Sequence, residues 1–143
     1  MRKGDPVPTE HQEQVALLKA LADQTRDHPC LELIYAIPNG GKLPFTRTKS
    51  GKIVSKQRIM LVAEGMRPGV PDLCLPVAKR KPDGSGWFHG LYIEMKRADH
   101  SRKATKEQKW WIELLEAGGY RCVVCFGAEE AFREIMKYVL ELE

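Results

Sequence analysis

Polar and apolar positions along the chain change period several times, and each change marks an element. From Thr9 onward, Val15, Leu18, Leu21 and Ala22 recur at helical spacing behind a threonine cap and an acidic first turn, which predicts a helix over 9–25. Residues 31–38 are rich in branched and aromatic side chains and are stopped by Pro38, Asn39, Gly40 and Gly41, the pattern of a strand ending in a tight turn. Residues 42–52 are polar and basic and read as a loop, whereas 53–66 are apolar without alternation and without a breaker before Gly65, predicting a second helix. A turn at 67–71 leads to a strand over 72–78, a turn over 79–86 and a strand over 87–96, together a hairpin. A polar connector then precedes a helix over 106–117 closed by Gly118 and Gly119, a strand over 120–126 and an amphipathic helix over 128–142. Helices and strands in this order predict an α/β fold with a mixed central sheet of about four strands flanked by helices.

Composition narrows the class. A chain of 143 residues, 43% hydrophobic and 29% charged, is expected to form one domain with its own core. No apolar run approaches the roughly 18 residues of a membrane span, and Met-Arg-Lys-Gly-Asp-Pro is no secretory leader, so the expectation is a cytoplasmic protein with no membrane partner. Cys30, Cys74, Cys122 and Cys125 accordingly read as reduced thiols. Cys122 and Cys125 form a C-x-x-C, but in a strand they project to opposite faces, and packing as small hydrophobes is the expected role. The net charge of +4 is unevenly spread, because residues 42–109 hold 16 Lys and Arg against 6 Asp and Glu while the remainder is acidic. A localised positive field suits a polyphosphate partner.

The chemistry concentrates in Pro71-Asp72 and, after 21 intervening residues, Glu94-Met95-Lys96. Residues two apart on a strand share a face, so Glu94 and Lys96 point together, and an Asp72 that begins the neighbouring hairpin strand approaches Glu94. Two carboxylates this close repel unless a cation holds them, and all-oxygen ligands suit Mg²⁺ or Mn²⁺. A lysine beside such an ion can orient a nucleophilic water and oppose charge on a transferring phosphoryl group.

Taken together, Glu10 with Gln14, Pro38-Asn39-Gly40-Gly41, Gly65-Met66-Arg67-Pro68-Gly69-Val70-Pro71-Asp72-Leu73, Tyr92-Ile93-Glu94-Met95-Lys96, and Gln108 before Trp110-Trp111 resemble the VRR-NUC family of the PD-(D/E)xK nuclease superfamily. The resemblance runs from about residue 9 to 130, with the motifs in order. It implies a restriction-endonuclease-like fold and a Mg²⁺- or Mn²⁺-dependent DNA endonuclease. Asp72, Glu94 and the Met95 carbonyl would bind the ion, Lys96 would serve the attacking water, and Gln108 would lie over the lysine and phosphate. It also implies an acid from the first helix, for which Glu10 matches best because Gln14 follows four residues later, while Glu13 is one turn away. Asn39, Gly40, Gly41, Arg67, Gly69 and Arg97 are candidate DNA-backbone contacts. Trp87, Trp110 and Trp111 read as core or interface aromatics, and the histidines as surface residues.

Small free-standing relatives look like structure-specific nucleases, so branched DNA, first the four-way junction, is the expected substrate and a homodimer the expected assembly. A flap-cutting or nicking repair nuclease is the alternative within enzymes. A nucleic-acid-binding module with a vestigial site is the alternative outside them.

Overall fold

A computed structural model of the protein describes residues 4–39 and 46–141. Gly40 and Gly41, two of the expected DNA contacts, lie outside the described residues. Helix α1 (Glu10–Ala22) is followed by a 3₁₀ turn at Pro29–Leu33 and the strands β1 (Tyr35–Ala36), β2 (Thr46–Arg47) and β3 (Ile53–Val54). Next come α2 (Lys56–Ala63), β4 (Leu73–Leu75), β5 (Lys79–Arg80), β6 (Trp87–Phe88), β7 (Leu91–Lys96), α3 (Lys106–Ala117), β8 (Arg121–Phe126) and α4 (Ala128–Glu141).

The central sheet has the order β1-β4-β7-β8, antiparallel except for the parallel pair β7 and β8. A parallel pair cannot be joined by a hairpin, and α3 is the crossover between its two strands. Alternation along β7 divides the molecule into two faces. Leu91, Ile93 and Met95 join Leu73, Leu75, Leu17, Leu21, Ile135, Tyr138 and Val139 in the core beneath α1 and α4. Glu94 and Lys96 point the other way, towards the start of α3. The mixed α/β, restriction-endonuclease-like architecture matches the sequence expectation. Among the described residues no helix is long and apolar enough to cross a membrane.

Several boundaries differ from expectation. The strand expected over 31–38 opens with the last three residues of the 3₁₀ turn that Pro29 starts, and only Tyr35 and Ala36 pair with β4. The loop and helix expected over 42–66 contain a β2–β3 ribbon, after which Ser55 accepts the Arg58 N–H at 3.1 Å and starts α2 three residues later than anticipated. The strand expected over 87–96 is divided, because the His89 N–H donates to the Gly119 carbonyl at 2.9 Å and leaves Trp87 and Phe88 to pair with Lys79 and Arg80 in a separate ribbon. Of the tryptophans expected in the core or at an interface, Trp87 and Trp110 are exposed.

Candidate functional site

The register of β4 against β7 sets the geometry. Leu73 stands opposite Ile93, so Asp72, one residue before β4, comes level with Glu94. One Asp72 oxygen accepts the Met95 backbone N–H at 2.7 Å, and the other accepts from Asn39 Nδ2 at 3.4 Å. Glu94 is 2% exposed and Lys96 4% exposed, and the Lys96 Nζ lies 3.4 Å from Glu94 Oε1.

Gln108 ties these groups to α3. Its Nε2 donates to Glu94 Oε1 at 2.7 Å, and its Oε1 accepts from Lys96 Nζ at 3.0 Å. The same Oε1 accepts the Thr105 backbone N–H at 2.8 Å, and Thr105 Oγ1 accepts the Gln108 N–H at 3.2 Å, closing a capping box at the helix start. Sequence reasoning passed over Thr105. Its signal was present as Thr-x-x-Gln ahead of the apolar turns of α3.

The two carboxylates shift each other. Burial raises the Asp72 carboxyl above its ordinary range, opposed by the Met95 N–H and reinforced by the charge of Glu10. Burial and then the Asp72 charge push Glu94 up to about 8, with Lys96 pulling the other way. Glu94 Oε2 is buried with no hydrogen-bond partner among the described residues, an arrangement costly for a carboxylate in a low-dielectric site.

A cleft of ≈ 830 Å³ opens above these groups, and Glu10, Gln14, Asn39, Arg97, Arg102 and Lys103 are among the residues lining it. Glu10 and Glu13, one turn apart in α1, do different things. Glu10 faces the cleft, whereas Glu13 is 9% exposed and its Oε2 accepts the Ala128 N–H at the start of α4. Arg67 and Gly69 do not line the cleft. Arg67 lies over the Trp111 ring, 5.4 Å from its centroid, beside a separate cavity of ≈ 420 Å³. Gly69 has φ +88°, and a Cβ there would stand 2.9 Å from the backbone of Glu107, so this glycine lets the turn pack against the first turn of α3.

A match to the VRR-NUC domain model spans residues 9–129, most of the chain. This protein belongs to the VRR-NUC family. A solved VRR_NUC domain protein is similar at 25% identity and a TM-score of 0.70, over 96% of this chain and 93% of that one. No curated protein matches the chain. Membership of VRR-NUC makes this a nuclease-type domain.

Among the described residues of this VRR-NUC domain, no three His, Cys, Asp or Glu side chains are grouped as a ready metal site. The donor chemistry nevertheless fits a hard divalent cation. Asp72 and Glu94 offer oxygen ligands, Glu94 Oε2 is buried and unpartnered, and Glu10 adds a third carboxylate on the cleft wall. Burial pushes the thiols of the C-x-x-C, Cys122 and Cys125, up to about 12.

Proposed function

We propose that this VRR-NUC domain is a Mg²⁺- or Mn²⁺-dependent DNA endonuclease that cuts branched DNA, four-way junctions first, and does so as a homodimer. Its chief support is the half-buried Asp72 beside the buried Glu94, whose Oε1 lies 3.4 Å from the Lys96 ammonium, with Asp72 and Lys96 lining a cleft that Arg97, Arg102 and Lys103 also line. Asp72, Glu94, Glu10 and the Met95 carbonyl would hold the ion. When bound, a divalent ion polarises phosphoryl oxygens and lowers the pKa of its water.

The remaining work falls to the chain's own groups. Lys96 orients the attacking water and opposes the negative charge that builds on the phosphoryl group. Gln108, held by Glu94 and by the cap of α3, keeps the lysine from swinging into the cleft mouth. The Met95 N–H fixes Asp72 from behind. Water attacks phosphorus and the bond to the 3′ oxygen breaks, leaving a 5′-phosphate and a 3′-hydroxyl. The cations of the rim take the backbone phosphates independently of sequence.

Support for the dimer comes from α2 and α3, where Ile59, Met60, Val62, Trp110 and Leu114 are all exposed. Two-fold pairing of one-site chains brings two sites to two strands of a junction. The test is cleavage of a labelled four-way junction in Mg²⁺ or Mn²⁺ beside matched duplex, flap and single-stranded DNA, with Lys96→Ala as control. Paired cuts in the junction alone, lost in Lys96→Ala, are expected. Cutting of every substrate would make it a general repair nuclease, and tight binding without cutting in either metal would overturn the enzyme reading.

A further inference from the structure

The β2–β3 ribbon packs into no core. Its two strands pair only with each other, and Thr46, Arg47 and Ile53 are exposed. A lone two-stranded ribbon is marginal in water. Its tip is nevertheless well built: the Thr48 N–H donates to the Lys52 carbonyl at 2.8 Å, the Gly51 N–H to the Thr48 carbonyl at 2.9 Å, and the Lys52 N–H to Thr48 Oγ1 at 3.1 Å.

Charge gives this arm a direction. From residue 46 to residue 58 the chain holds Arg47, Lys49, Lys52, Lys56 and Arg58 and no acid. Among the described residues none of these five enters an ion pair. Clustered cations without counter-charges repel one another, and a polyanion relieves that repulsion by releasing its own condensed ions.

Position selects the polyanion. In sequence the ribbon lies between Asn39, which holds Asp72, and α2, whose Leu61 shares a cavity with Pro38 at the cleft edge. Three extended residues from Lys52 to Ser55 and the helical rise to Leu61 place the tip within about 20 Å of that edge. At about 3.4 Å per base pair, this is roughly six base pairs along a duplex seated in the cleft.

We propose that the β2–β3 ribbon is a DNA-gripping arm, which lies along a groove of the duplex flanking the cleft and holds its phosphates through Arg47, Lys49 and Lys52. A two-stranded ribbon has the width a major groove admits. The inference rests on the nuclease reading for its partner but uses none of the residues of the paired-acid site.

Anisotropy of a labelled duplex of about three helical turns, without metal and across a salt series, tests it with the triple variant Arg47→Ser, Lys49→Ser, Lys52→Ser. The variant's log–log salt slope should be shallower by about 2–3, with affinity near physiological salt about 10- to 100-fold weaker. Arg47→Lys, which keeps the charge, should retain the slope of the parent and shows that the ribbon itself is intact. A triple variant that binds with the parent's slope and affinity overturns the arm, as does preferential capture of the parent by phosphatidylserine vesicles over DNA. Parent protein that cuts no DNA yet loses its salt slope in the triple variant supports the arm and overturns the nuclease reading alone.

Discussion

Helices α1 and α3 begin with the same device, and only one of the two reaches the site. At α1, Thr9 Oγ1 accepts the Gln12 N–H at 3.1 Å and Gln12 Oε1 accepts the Thr9 N–H at 2.9 Å, and the exposed glutamine side chain makes no other hydrogen bond among the described residues. At α3 the same Thr-x-x-Gln box has nearly the same distances, but Gln108 is half-buried and its amide also grips Lys96 and Glu94. A local rule starts the helix in both places. What turns one cap into part of a site is the end of β7 standing against it, a contact set by the sheet and not by the motif.

The largest effect expected within this comparison is at Glu94, the group Gln108 holds. Glu94→Gln should lower cleavage by at least about 1,000-fold while stabilising the metal-free fold at alkaline pH. The sign follows from a folded pKa of about 8 against the ordinary 4.5: the contribution of Glu94 to stability is fully present below about 4.5 and is lost as pH rises through about 8. Metal-free protein should therefore melt lower at pH 8 than at pH 6, and Glu94→Gln should flatten that dependence. Thermal scans of both proteins with a chelator present would refute this if the two profiles ran parallel.

Replacing each box glutamine by glutamate separates the two caps directly. Glutamate can complete a capping box as glutamine does, so Gln12→Glu should leave cleavage within about twofold and the melting temperature equal or slightly higher. Gln108→Glu keeps the cap but replaces the amide donor to Glu94 with a like charge. Cleavage should fall by about 100-fold, equivalent to losing one hydrogen bond to a charged group. Equal cleavage by the two variants would show that Gln108 is only a cap.

Gly69→Ala should come next, with a loss of about 1–3 kcal/mol in chemical denaturation, because the added Cβ meets Glu107 at a positive φ. The smallest effect is expected at the threonines. Thr9→Ala and Thr105→Ala should each cost about 1 kcal/mol of stability. Only Thr105→Ala should also lower kcat, by severalfold, with recovery in Thr105→Ser.

Much of the architecture was legible because it follows from local chemistry. Thr9 marked the start of α1, Gly118 and Gly119 marked the end of α3, and the parity of Glu94 and Lys96 placed both on one face of β7. The β2–β3 ribbon was not legible, since strands of two residues carry no period and Thr46, Arg47 and Lys52 read as loop. Ser55 did announce the start of α2, but the apolar Ile53 and Val54 before it hid the boundary. At the site, the Asp72–Glu94 approach was anticipated from the hairpin, whereas the separate tasks of Glu10 and Glu13 were not. Glu13 meets Ala128, a contact between residues 115 apart that no spacing rule within α1 can reveal.

That last contact has a consequence for how the protein is made. The cleft wall bearing Glu10 is pinned through Glu13 to the first turn of α4, and β7 is flanked on one side by β8, both late in the chain. During synthesis the ribosome releases Glu10, Asp72, Glu94 and Lys96 well before the backbone that braces them. A growing polypeptide therefore carries these four side chains for some time before it can hold them in place.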